Sequence, residues 1–223
     1  MLSPRLMACA ALVTPGASVC DVGTDHAKLA VYLLESGRAQ EALASDIGEG
    51  PLRAADRTIR EHGLTGRIRT ILSDGLMEVP PAGLTDIVIA GMGGETIIHI
   101  LESCPWQAEL CRMQLILQPM TRAALLRRWL YTQGFVIAEE HCVREGKFLY
   151  AVMRVRQGSP CIPDPVQEWL GAMDLRDPDS LAYARRQEMY LQKTARARAE
   201  AGCPDEALEA AAACVTKRLE EFA

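Results

Sequence analysis

The run Val19-Cys20-Asp21-Val22-Gly23-Thr24-Asp25-His26 ends an apolar segment in a carboxylate and then turns on a glycine. A backbone that leaves a strand for a helix within a few residues favours Gly, and the helix N-terminus beyond it offers unpaired N–H groups to a ligand. Ile87-Val88-Ile89-Ala90-Gly91-Met92-Gly93-Gly94 repeats the pattern of strand, glycines and helix. Two such edges predict one shared crevice. Asp46, in Ala44-Ser45-Asp46-Ile47, stands at a second predicted strand end, where a carboxylate can accept both hydroxyls of a ribose. Asp74-Gly75 follows a third, where the acid can receive an adenine amine and the glycine lets the ring approach. A surface Asp at a strand end and an ordinary Asp-Gly turn are the plain alternatives, and Asp21 upstream favours the ribose role for Asp46.

Dinucleotide cofactors need three glycines at G-x-G-x-x-G so that the backbone can approach a pyrophosphate. Here Gly23 stands alone, and Asp25 and His26 occupy the phosphate-cradling positions. A carboxylate there repels a diphosphate. S-adenosylmethionine carries no phosphate but does carry a sulfonium cation, an amino-acid end and a ribose, and Asp21 and Asp25 suit it better. Asp25 also fits the N-cap of a helix starting near Ala27, a role compatible with ligand contact. His26 either packs beside the turn or touches the cofactor or target base; its place in the crevice favours contact. Gly91-Met92-Gly93-Gly94 lacks the Asn or Asp, prolines and aromatic with which amino-methyltransferases grip an exocyclic amine, so a ring nitrogen or an oxygen is the better acceptor. Gln118-Pro119 after the fifth strand closes the crevice from the other side.

These residues need a sheet to position them. Short β-branched or apolar runs near 18–22, 41–45, 67–72, 85–90 and 113–118 alternate with helical patterns near 27–36, 51–62, 94–101 and 121–132. That alternation predicts a mainly parallel sheet with right-handed crossovers. Ser3-Pro4 reads as an N-cap with proline at the first helical position, and Thr14-Pro15-Gly16 stops that leading helix. Phe135–Ala138 and Phe148–Met153 are separated by a polar stretch too short for a helical crossover, so they pair as an antiparallel hairpin. The expected fold is therefore α/β, a Rossmann-like class I methyltransferase sheet closed by an antiparallel hairpin, over residues 1–157. Gly158-Ser159-Pro160 and Pro163-Asp164-Pro165 mark a linker, and 163–223 reads as a helical, coiled-coil-like domain. In it Ser180 caps a helix through Ala199, and Pro204-Asp205-Glu206 starts another to Phe222. Leu181, Ala184, Ala195 and Ala199 form the expected seam against Ala207, Ala211, Cys214 and Leu219.

With 223 residues, 49% of them hydrophobic, the chain can bury one α/β core and a smaller appendage. No apolar stretch is long enough to span a bilayer and the N-terminus lacks a signal-peptide pattern, so a soluble cytoplasmic protein is expected. The eight cysteines form no C-x-x-C pair, which implies neither a metal site nor a redox motif. A net charge of -5 argues against indiscriminate nucleic-acid binding. Charge is unevenly placed, however. Arg112, Arg122, Arg127 and Arg128 lie in an acid-free stretch between Glu109 and Glu139, and Arg185, Arg186, Lys193, Arg196 and Arg198 cluster farther on. Each cluster alone reads equally as a solvated helix face or an RNA-facing patch.

Taken together, Asp21-Val22-Gly23-Thr24-Asp25-His26-Ala27, Asp46 with Gly50-Pro51-Leu52, Ser73-Asp74-Gly75-Leu76, Ile89-Ala90-Gly91-Met92-Gly93-Gly94 and Leu117-Gln118-Pro119 closely resemble the bacterial tRNA (adenine-22-N1)-methyltransferase family. The resemblance implies S-adenosylmethionine as cofactor, S-adenosylhomocysteine as product, tRNA as partner and no metal. It implies cofactor contacts at Asp21, Gly23, Thr24, Asp46, Ile47, Asp74, Gly75 and Ala90, and catalytic positions at Asp25, His26, Gly91 and Met92. Gly93, Gln118, Pro119, Arg122, Arg185, Arg186, Lys193 and Arg196 are the expected substrate contacts. One departure stands out: Lys28-Leu29-Ala30 occupies the place where the family usually has an aromatic and then Leu-Pro. Another RNA or small-molecule methyltransferase is the first alternative, and an RNA-binding relative with a decayed pocket the second.

Overall fold

A computed structural model describes residues 2–222. A helix, α1 (Pro4–Leu12), leads into the alternating part of the chain: β1 (Ala17–Val22), α2 (Lys28–Glu35), β2 (Ala39–Asp46), α3 (Glu49–Glu61), β3 (Ile68–Leu72), β4 (Asp86–Gly93), α4 (Gly94–Glu102), the short α5 (Gln107–Leu110), β5 (Gln114–Thr121) and α6 (Ala123–Thr132). The hairpin follows as β6 (Phe135–Glu145) and β7 (Phe148–Gln157), then α7 (Pro165–Trp169), α8 (Pro178–Glu200) and α9 (Glu206–Glu220). The strands make one sheet in the order β3-β2-β1-β4-β5-β7-β6, parallel from β3 to β5 and antiparallel in β7 and β6. The order reverses at β1 and β4, so the crevice expected from the two glycine edges opens at the carboxyl ends of those strands.

Alternating side chains of each central strand serve opposite faces, as a pleated strand buried on both sides requires. Val19, Val88 and Ile116 pack with Leu29, Leu33, Ala55 and Ile59 on one side, where α1 contributes Cys9 and Leu12. Cys20, Ile87, Ile89, Leu115 and Leu117 face the other side and meet Ile97, Leu101, Leu126 and Leu130 of α4 and α6. Fully burying side chains of this size contributes about 1.5–3 kcal/mol each, so the strand ends are held on a firm platform.

Three expectations need correction. The polar residues after Ala138 are not a connector: β6 runs on to Glu145 and pairs with β7 along its length, with one bulge at Ala138, leaving a two-residue turn at Gly146-Lys147. As the outermost strand, β6 tolerates charges that an inner strand would not. The long helix is capped by Asp177, whose carboxylate accepts from Ser180 N at 2.8 Å, with Pro178 in its first turn, not by Ser180 itself. The helical seam also differs. Leu191, Ala212 and Val215 fill it beside Ala184, Ala211 and Leu219, whereas Ala199, Ala207 and Cys214 are exposed.

The helical region also packs on the sheet. Tyr183 of α8 belongs to the same apolar cluster as β4 and β5. Beneath it, Arg127 of α6 is fully buried. Its Nε and Nη2 donate to Glu140 Oε1 of β6 at 3.0 and 2.8 Å, Nη1 donates to the carbonyls of Glu168 and Trp169, and Nη2 also reaches Tyr183 Oη at 3.2 Å. Burial pushes the guanidinium toward its neutral form, and the Glu140 carboxylate outweighs that and keeps it charged. Arg127 is therefore removed from any RNA-facing patch. Gly171 is needed here as well, because a side chain on it would collide with the Glu140 carboxylate.

Candidate active site

The β1 end builds the first wall of the crevice. After Val22 the chain turns on Gly23 (φ 74°), and the Gly23 and Thr24 amides both donate to Ser45 O of β2, at 2.8 and 2.9 Å. Those two N–H groups thus tie the turn to the sheet and are not open to a ligand. Thr24 Oγ1 donates to Asp21 Oδ2 at 2.6 Å, with both residues buried. His26 and Ala27 then adopt left-handed backbone at φ 59° and 55°. Such conformations cost of order 1–2 kcal/mol per residue outside glycine. Among the described residues, Arg122 (φ 55°) is the one other non-glycine at positive φ. All three flank the crevice, so the strain in this backbone is concentrated at its mouth.

Asp25 does not cap α2, whose first turn has no side-chain cap. Its exposed carboxylate instead accepts from Lys28 Nζ at 2.8 Å and faces His26 Nε2 at 3.5 Å. The Lys28 hydrogen bond, with help from the charge of Lys28, holds the Asp25 carboxyl below its ordinary range. Lys28 thus occupies the position of the missing aromatic and pairs with a predicted catalytic acid.

Asp46 ends β2, with Oδ1 accepting from Gly48 N at 2.8 Å. Its carbonyl accepts from Ser73 N at 3.0 Å, which brings the exposed Asp74 beside it. Ile47 is 69% exposed on the same rim. Gly75 (φ 58°) sits against Ile100, with no space for a Cβ. The Asp74-Gly75 turn is real, and it lies at the crevice.

On the opposite wall the expected strand-then-glycine order is modified. Ala90, Gly91, Met92 and Gly93 still belong to β4, which bulges there against β5. Gly91 (φ 79°) is exposed, while Met92 reaches back so that its methyl lies over Gly23 and excludes any Cβ from that turn. Gly93 precedes α4, and Gly94 lets that helix approach the carbonyl oxygens of Arg122 and Thr121, which a Cβ would meet at 2.6 and 3.0 Å.

Gln118 and Pro119 are buried. The Gln118 carboxamide is fully engaged within the protein: Oε1 accepts from Gly91 N and from Arg5 Nη1, each at 3.0 Å, and Nε2 donates to Pro119 O at 2.9 Å. Gln118 therefore fixes the wall and is not presented to a substrate. Its other partner, Arg5, escaped the sequence reading. Arg5 extends from α1, also pairs with Glu145 at 3.4 Å, and lies against Gly91, where it would crowd a Cβ. The one available signal was a lone charge in the otherwise uncharged helix Pro4–Leu12.

Arg122 is exposed at the start of α6 and faces Glu95 at 3.4 Å. Arg185, Arg186, Lys193 and Arg196 are exposed along α8, away from the β1 and β2 ends; Arg186 donates to Lys147 O and Arg196 to Glu200.

The crevice is acidic where the cofactor was expected. Asp21 is 6% exposed, and burial pushes its carboxyl up to about 6; the Thr24 hydrogen bond partly offsets this, while Asp25 and Asp46 add repulsion. Among the described residues, no cation relieves that group. An incoming positive centre would, whereas a diphosphate would meet three carboxylates. A sulfonium with an ammonium group and a ribose fits this donor set. Among the described residues, no group of three or more His, Cys, Asp and Glu side chains is placed to hold a metal ion, and no helix is long and apolar enough to cross a membrane.

A seven-stranded sheet with a terminal antiparallel hairpin and an acidic crevice at its switch point defines a class I methyltransferase. Residues 2–153 match the methyltransferase domain family. The tRNA (adenine(22)-N(1))-methyltransferase of Bacillus subtilis (strain 168) is 35% identical over 158 residues, 70% of this chain and 66% of that one. The matches to curated relatives span 61–66% of those relatives' lengths. A Streptococcus pneumoniae protein solved in complex with S-adenosyl-L-methionine superposes with a TM-score of 0.84 at 30% identity, covering 98% of this chain and 100% of that one. The structure of the B. subtilis M1A22 tRNA methyltransferase gives 0.76 at 26% identity, covering 99% and 96%. The chain belongs to the tRNA (adenine-22-N1)-methyltransferase family.

Proposed function

We propose that this protein transfers a methyl group from S-adenosylmethionine to N1 of adenine 22 in the D-arm region of tRNA. The observation that carries the reading is Asp21, a buried acid that no cation among the described residues relieves, set in a crevice whose opposite wall carries the exposed Gly91. The cofactor, when bound, supplies a methyl group on a sulfonium centre. Asp21 would face its cationic amino-acid end, Asp46 would accept from the ribose hydroxyls, and Asp74 would receive the adenine amine, with Gly23, Thr24, Ile47, Gly75 and Ala90 shaping the walls around it.

N1 of adenine is neutral and has a lone pair, so attack needs alignment more than a general base. The methylated ring is cationic. Asp25, held in its charged form by the Lys28 hydrogen bond, and the exposed backbone at Gly91 would stabilise that charge, with His26 and Met92 at the same opening. Gly93, Arg122 and the wall fixed by Gln118 and Pro119 border the side from which the base arrives, and that base must leave its stack to enter. The helical part, 163–223, holds the tRNA body through Arg185, Arg186, Lys193 and Arg196.

The test is nucleoside analysis of tRNA transcripts bearing adenine or guanine at position 22, incubated with labelled cofactor. 1-Methyladenosine in the first transcript alone is expected. Equal methylation of both, or label on the exocyclic nitrogen, would sink the assignment.

A further inference from the structure

Beside the crevice, where β5 passes into α6, the chain encloses a second cleft of about 530 Å³. Pro119 and Arg122 border it on the side of the proposed active site; Tyr150 of β7, Trp169 of α7, and Tyr183 and Tyr190 of α8 supply aromatic surface. The chain has eleven aromatic residues, and four of them line this one cleft. Tyr183 is its buried floor, held by Arg127 beneath. Trp169 and Tyr190 meet with ring centroids 5.8 Å apart, and Tyr190 is 55% exposed at the mouth. Tyr150 also stacks on Phe148, which is exposed outside the lining, and Lys147 lies over that ring.

Arg122, which faces Glu95 at 3.4 Å, is the one charged residue in the lining, and the basic Lys147 and Arg186 flank the cleft on the β7 and α8 sides. An apolar helix would find little use for a basic rim. Flat π-faces beneath basic side chains suit an unstacked nucleobase and its phosphate. The cleft shares Pro119 and Arg122 with the wall of the crevice, so a strand delivering one base to the crevice would pass near it.

We infer that this aromatic cleft holds a second nucleotide of the RNA, the neighbour of the methyl acceptor, by stacking its base beside Trp169 and Tyr190. The inference rests on the RNA-methyltransferase reading and adds a recognition site to it. With the acceptor turned out of its stack, its neighbour also loses a stacking partner, and the cleft replaces it.

Tyr190→Ala and Tyr190→Phe in the full-length chain provide the test, with a tRNA transcript bearing adenine 22 as probe and circular dichroism to verify folding. Tyr190→Ala is expected to raise the KM for tRNA and weaken direct tRNA binding by roughly five- to a hundredfold, the range of one base–aromatic stack. Tyr190→Phe keeps the ring and should retain wild-type values, and affinity for S-adenosylmethionine should not change in either variant. Unaltered tRNA affinity in Tyr190→Ala, equal loss in both variants, or a loss confined to kcat would each overturn the inference. Failure of the wild-type chain to methylate the transcript would instead refute the reading beneath it, and the direct binding measurement would still decide on the cleft.

Discussion

Asp21 sits where its own charge is unwelcome. Because its carboxyl is raised to about 6 by burial, protonation favours the fold: that contribution is complete below the ordinary carboxylate range near pH 4 and is lost as the pH rises through about 6. A cationic ligand group favours the opposite form. Cofactor affinity, measured by calorimetry, should therefore fall as the pH is lowered from about 7 through about 6, and Asp21→Asn should bind weakly with no such slope. An unchanged slope in that variant would place the titrating group elsewhere. Asp46→Ala should weaken cofactor binding by about 1–3 kcal/mol, through loss of a charged acceptor for the ribose; unaltered affinity would remove it from the site. Asp25→Ala and His26→Ala should lower kcat more than cofactor affinity, since both side chains are exposed at the mouth while Asp21 lies within. The acids at strand ends were legible in the sequence because a parallel sheet presents strand ends to its ligand. Arg5 was not, since its partner Gln118 is 113 positions away and nothing local in α1 announces it.

At the level of elements, alternation of apolar runs and helical patterns was enough to give the sheet and its closing hairpin. It misread β6, where charges on an outer strand imitate a connector, and it placed the start of α8 on Ser180 although Asp177-Pro178 combines a capping acid with a proline suited to a first turn. The glycines between β4 and α4 were noticed for their number, but the reason for one of them lies across the sheet. Gly94 admits the β5–α6 turn so closely that a methyl group would meet the Arg122 carbonyl oxygen. Gly94→Ala is therefore expected to destabilise the protein by about 1–3 kcal/mol, as overpacking does, and to displace Arg122. Denaturant unfolding measures the first effect and tRNA affinity the second. A fully stable variant would show that the two elements can move apart.

For the whole molecule the decisive contact is Arg127, which joins α6, β6, α7 and α8 in one hydrogen-bonded knot. Removing Tyr183 Oη with Tyr183→Phe should cost about 1.5–3 kcal/mol, the usual worth of a hydrogen bond to a charged group, and thermal unfolding checks it. Deleting residues from Pro163 onward should impair tRNA binding and flatten its salt dependence by up to about one unit of log–log slope for each phosphate no longer neutralised. The deletion also uncovers Arg127 and Glu140, so the shortened chain should melt below the full one; equal melting temperatures would show that the knot adds nothing to stability. The same knot bears on how such a chain can vary over descent. A tail exchanged at the 158–163 linker would have to bring two correctly aimed carbonyls, a hydroxyl and a glycine to meet an arginine and a glutamate it had never accompanied. Recombination at that linker is therefore a poor route to new specificity here, and change is better accommodated on the outer surface of α8, where side chains can be replaced without disturbing what lies under Tyr183.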